Sequence, residues 1–180
     1  MSDAAQVLRY AAFGLAVVFA VLGGAFIVGE SMMDPGGSTA VVLTASWLIP
    51  MIAMSVFSFY RPYTASTVMT LVAIVVALFV VVDVVFRIVP RDEVGPIGSI
   101  AVFATAIPLA CLGLRRPSTA GLLMLLVGVA NIGGGGSGLA VAVPTLMIGV
   151  LYLLAGRGQA SHSAITRPRN GHHPRPPRSA

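Results

Sequence analysis

The sequence contains no lysine; all eleven of its basic residues are arginine. It has one cysteine, one tryptophan and six acidic residues, and only 9% of it is charged. Each shortage excludes something. A single thiol, Cys111, cannot form an intramolecular disulfide, and its place inside an apolar run does not suit a lipid-modified lipoprotein cysteine. With 57% hydrophobic residues and a mean hydropathy of +0.93, the chain has too little polar surface to cover its apolar volume in water. The expectation is a bilayer protein. Paired carboxylates, Cys/His clusters and an activated nucleophile are all missing, so no enzyme, cofactor or metal centre is expected. The three histidines, His162, His172 and His173, all follow residue 160. The adjacent pair His172 and His173 makes a weak metal site without further fixed ligands.

The net charge of +5 is concentrated in one place. Arg157, Arg167, Arg169, Arg175 and Arg178 fall in the last 24 residues, where no acid occurs. The excess therefore belongs to a tail, and nucleic acid is not an expected partner. Arginine used to the exclusion of lysine reads as the bias of a GC-rich genome.

The apolar runs set the architecture. The first, at 8–28, is about twenty residues long, which exceeds the roughly 7–15 of a signal-peptide core and marks an uncleaved span. Runs at 40–60, 64–89 and 97–114 each suit a ~30 Å hydrocarbon core. The run at 119–155 is too long for one span, and the stretch NIGGGGSGLA divides it into 119–132 and 139–155. The expected fold is an all-α integral membrane protein of six transmembrane helices in three hairpins over 1–156. Residues 157–180, rich in Arg and Pro, form a disordered basic tail on this reading.

Charge tests that count. With six spans and an inner N-terminus, Arg9, Arg61, Arg115, Arg116 and the tail lie on the cytoplasmic side. Arg87 and Arg91 lie outside with Glu30, Asp34, Asp92 and Glu93. This matches the positive-inside bias, with both termini cytoplasmic in a plasma membrane. The tail arginines are then expected to touch anionic lipid headgroups at about 1 kcal/mol each.

A short repeat accompanies the hairpins. Arg61 to Ala65 and Arg116 to Ala120 share the form R-P-x-T-A. Arg marks the inner interface, Pro opens the next helix, and Thr is expected to cap it. Pro50, Pro108 and Pro144 fall one to a span, in the second, fourth and sixth, and are read as helix kinks. Their nearby polar residues are Thr44, Ser46, Ser55 and Thr105. On the first span Ala12, Ala16, Ala20 and Gly24 recur every fourth residue, a small face for close helix packing or a specific dimer.

The glycine stretch carries two pattern matches. Gly133, Gly135 and Gly138 satisfy GxGxxG, but a dinucleotide fold needs a preceding strand and a later acid, and neither is present. Residues 135–138 read GxSG and resemble the serine motif of rhomboid intramembrane proteases, also built on six spans. That resemblance implies Ser137 as nucleophile and a histidine base on a later span. Here the histidines are in the tail, so the base is missing and the stretch reads as a tight outer turn. Asn131, just before it, reads as a helix cap or helix contact.

Asp83 is the one ionisable residue well inside a span. It lies ~28 Å along the helix from Thr64, near the outer interface, with Arg87 four residues later on the same face. The pair is either an interfacial ion pair or a cation or proton site. The expected function is a non-catalytic accessory or scaffold subunit that meets a membrane-protein partner or its own copy through packed helix faces. The competing expectation is a small transporter or channel built on Asp83 and the proline kinks.

Overall fold

The computed structural model describes residues 3–33, 37–86, 91–132 and 135–165. They form six helices: α1 (Asp3–Met33), α2 (Gly37–Tyr60), α3 (Pro62–Phe86), α4 (Arg91–Arg115), α5 (Pro117–Ile132) and α6 (Gly135–Ile165). Among the described residues only Arg61 and Arg116 are not helical, and these are the arginines of the two repeated turns. Among the described residues four helical stretches are long and apolar enough to cross a membrane: Asp3–Gly29, Gly37–Tyr60, Pro62–Asp83 and Leu139–Gly158. Val102–Arg115 and Pro117–Ile132 are shorter apolar stretches. At 16 residues α5 is ~24 Å long.

Local chemistry explains the boundaries. Proline stands first in α3 and α5, where its missing N–H costs nothing and its fixed φ suits a helix start. Gly37 opens α2 at φ +61°, a left-handed conformation that glycine adopts without penalty. Arg115 in the last turn of α4 complements the negative end of the helix dipole. The valine-rich α3 has a composition that favours strands in water. In an apolar solvent such a segment would still be helical, because each N–H must find a carbonyl within its own segment.

Helix α4 packs against all five other helices and forms the axis of the bundle. The closest-packed pair is α5 with α6, while α1 lies mainly on α4 and α6, α2 on α4, and α3 on α5. Of the three expected hairpins, only the last is also a tight packing unit. Contacts between chain neighbours α1 and α2, and α2 and α3, are slight. The sequence pattern gives the path of the chain, whereas side-chain volume decides which helices touch.

The small residues of α1 are used within the molecule. Ala12 and Ala16 are fully buried and Ala20 is nearly so, and Gly24 meets the edge of Trp47 from α2. Gly23 receives the Phe103 ring of α4 so closely that a Cβ there would overlap it, and Phe19 packs on the same ring at 4.9 Å between centroids. The small face is therefore not a free dimer surface; helix packing consumes it. Gly14, on the opposite side, has nothing within 4 Å of a built Cβ. Gly14→Ala should raise stability by up to about 1 kcal/mol through helix propensity alone, read as a shift in the unfolding midpoint of the purified chain.

The outward faces are apolar. Val18, Leu22 and Phe26 of α1, Ile49 and Ile52 of α2, Leu71 and Leu78 of α3, Leu122 of α5, and Val143 and Met147 of α6 are all exposed. No large hydrophobic side chain described on α4 is exposed, as its axial position requires.

Helix α6 runs to Ile165, ten residues beyond the expected end of the last span. The segment after Gly156 continues the helix through Gly158, because its Ala and Gln residues favour helix and no proline intervenes before Pro168. The tail is thus helical as far as Ile165 and not irregular from Arg157. Arg167, Arg169, Arg175 and Arg178, with His172 and His173, lie outside the described residues. So do Arg87 and the first two glycines of the glycine stretch, Gly133 and Gly134.

Candidate functional site at the arginine end

The two R-P-x-T-A turns have the same backbone. Arg61 N donates to Phe57 O at 2.9 Å and Ala65 N donates to Arg61 O at 2.8 Å. The equivalent bonds run from Arg116 N to Leu112 O at 2.7 Å and from Ala120 N to Arg116 O at 3.1 Å. Each arginine thus closes one helix and occupies the cap position of the next. The expected threonine cap is corrected here. With proline fixed as the first helical residue, the cap falls on the arginine, and Thr64 and Thr119 sit inside the first turn.

Side chains join the two turns. The Arg116 guanidinium lies 4.1 Å from the Tyr63 ring centroid, and its Nη1 donates to Ser66 Oγ at 3.4 Å. Ser66 in turn donates to Tyr63 O at 2.7 Å. Arg115 lies 5.5 Å from the Phe59 ring, which meets Tyr60 edge to face at 5.8 Å. Ser118 at the start of α5 presses on Gly156, so exposed Arg157 belongs to the same end. Such cation and ring pairs hold a guanidinium face while leaving its N–H edge open.

A polar chain continues inward from this end. Tyr152 of α6 is fully buried, donates to Ala110 O of α4 at 2.9 Å, and lays its ring on Gly113. Cys111 of α4 is half-buried beside it and approaches Ser55 of α2. Arg9 of α1 stands within electrostatic reach of Tyr152, 5.7 Å from the Tyr10 ring, and its buried Nε has no hydrogen-bond partner. The sequence placed Arg9 as a flanking charge only. Its spacing from Ala12 and Ala16, three and seven residues on, puts it on the buried face of α1, and that is the signal that could have found it.

The other expected positions are less connected. Asp83 is half-buried near the far end of α3, at the terminus of the apolar stretch Pro62–Asp83, so it lies away from the span centre. Its proposed partner Arg87 is outside the described residues. Pro50 is exposed, Pro108 is buried and Pro144 is half-buried, each within a continuous helix. Their polar neighbours are largely bonded to their own helices: Ser55 to Met51 O at 2.7 Å, Thr105 to Val102 O at 3.0 Å, and Thr145 to Val141 O at 2.7 Å. Asn131 is buried and donates to Val127 O at 2.8 Å, closing the last turn of α5. The GxSG residues 135–138 form the first turn of α6. No three-ligand metal cluster occurs among the described residues.

Searches among protein families, curated proteins and solved structures give no match to the chain.

Proposed function

We propose that the chain is a six-span plasma-membrane protein that works as a non-catalytic accessory or scaffold subunit, with its arginine end in the cytoplasm. The observation that carries this reading is the distribution of side chains. Every outer helix turns aliphatic and aromatic side chains outward, while the buried polar side chains Ser66, Thr105, Asn131 and Thr145 bond to their own helices. Apolar surface on this scale is costly in water and neutral in lipid, and it is the face through which one membrane protein meets another. The gathering of Arg9, Arg61, Arg115, Arg116 and Arg157 at one end agrees with the positive-inside bias. Basic residues of the tail add adhesion to anionic lipid on the same side.

Gentle solubilisation at native expression, followed by mass spectrometry of co-purifying proteins, tests the reading. A stoichiometric membrane-protein partner is expected. Recovery of the chain alone, together with an ion flux that Asp83→Asn abolishes, would replace this reading with the transporter. One observation favours that second reading: Thr44 Oγ1 and Trp47 Nε1, three residues apart on α2, are buried without hydrogen-bond partners.

A further inference from the structure

We propose that the arginine end of the bundle holds the phosphate of an anionic phospholipid, gripped by Arg61, Arg115 and Arg116 above the apolar outward faces of α2 and α3. This inference rests on the bilayer reading and adds a built site to it.

Three properties of the site point to an oxyanion. First, no carboxylate pairs with Arg61, Arg115 or Arg116 among the described residues, so their charge is available. Second, two of the three are oriented. Arg116 is fixed between the Tyr63 ring and Ser66 Oγ, and Arg115 stands over Phe59. Held this way, the planar donors lose less rotamer freedom on binding than free side chains do, and their edges remain open for a bidentate contact. Third, the starts of α3 and α5 lie at the same end, joined by the reach of Arg116 from one turn to the other. The N–H groups of Tyr63, Thr64, Ser118 and Thr119 precede the first intrahelical bonds of those helices, and helix N-termini favour anions. One turn below Arg61 on α2, the fully buried Ser58 hydroxyl has no hydrogen-bond partner.

The surroundings choose a lipid over a free anion. Tyr60 and Tyr63 are 77% and 75% exposed beside the arginines, as rings at a headgroup boundary are. Along the same helices, Ile52, Val56, Leu71 and Ile74 are exposed and offer acyl chains apolar surface. Inorganic phosphate has no use for that surface. A diester headgroup with two acyl chains uses both.

The test uses the full chain in neutral detergent. Native mass spectrometry measures retention of phosphatidylglycerol and of phosphatidylcholine with the same acyl chains, and inorganic phosphate is the third probe. Phosphatidylglycerol should be preferred. The preference should fall about fivefold for each arginine changed to glutamine and about a hundredfold for Arg61, Arg115 and Arg116 together. Replacing all three by lysine keeps the charge but loses the ring stacking and the planar fork, so part of the preference should still be lost. Each variant's melting curve accompanies its binding, and Arg116→Lys alone serves if the triple glutamine variant does not fold. Equal retention of the two lipids would overturn the proposal, as would full preference in the lysine variant or phosphate competing as well as the anionic lipid. The bilayer reading fails separately, by release of the chain from membranes in alkaline carbonate.

Discussion

Gly121→Ile destabilises the protein by roughly 3 kcal/mol, the upper part of the range for overpacking a close-packed contact. A Cβ at Gly121 would lie 2.7 Å from Gly149 O and 2.9 Å from Leu153 N, both backbone atoms of α6. Backbone cannot rotate away as a side-chain tip can, so relief requires α5 and α6 to separate. That separation is costly because the two helices form the closest pair in the bundle and share a run of such contacts. Gly128 abuts Leu146, Gly149 abuts Gly121 O and Leu125, and Gly156 abuts Ser118, so glycines seven residues apart on each helix line an antiparallel seam. In lipid this seam would depend on dispersion at short range, and a displacement of about 1 Å would forfeit up to about half of each contact. The measurement is the unfolding midpoint in detergent beside Gly14→Ala. The two should move in opposite directions; an unchanged midpoint for Gly121→Ile would mean that the seam is not formed.

Tyr152→Ala should cost about 3 to 4 kcal/mol, since emptying an aromatic site in a packed interior carries both lost contacts and a cavity. Tyr152 heads the fully buried side chains by volume and lies where α6 meets α4. The ring accounts for most of this. Gly113 leaves room for the ring and has no side chain of its own to fill the space when the ring is removed. The hydroxyl accounts for less, because Ala110 O accepts from Tyr152 while already lying within a helix; Tyr152→Phe should cost about 1 kcal/mol. Unfolding of both variants by the same method separates ring from hydroxyl. Equal losses would show that the hydrogen bond, and not packing, holds α6 to α4 at this level.

Several features of the fold were legible in the residue order. Apolar runs of membrane length can satisfy their backbone only as helices, so their number and approximate limits follow from hydropathy. The R-P-x-T-A turns are local chemistry too: proline cannot continue a helix from within and suits its first position, and both copies break at the same residue. Helix α6 outruns its apolar run because the residues after Arg157 are polar yet contain no proline before Pro168, and Gly158 does not end the helix. Polarity predicts where lipid ends, which is a different boundary.

The candidate site was less legible. Arg61 and Arg116 are 55 positions apart, and nothing in their local sequence states that Tyr63 of one turn supports Arg116 of the other. Arg9 and Tyr152 stand at opposite ends of the chain and meet only because α1 packs beside α6. Charge inside an apolar run, as at Asp83, is conspicuous in a sequence, whereas Arg9 near a run's edge is not, although Arg9 carries a buried donor without a partner.

The sequence by itself determined the helices and their turns, because each depends on properties that are local or merely summed along the chain. Only the tertiary structure decided which faces are buried. Helices of nearly uniform apolarity have no polar side to orient them, so the choice falls to shape: Phe103 over Gly23, Tyr152 over Gly113, and Gly121 against Gly149. Fit between distant surfaces placed α4 on the axis, consumed the small face of α1, and brought the two arginine turns together.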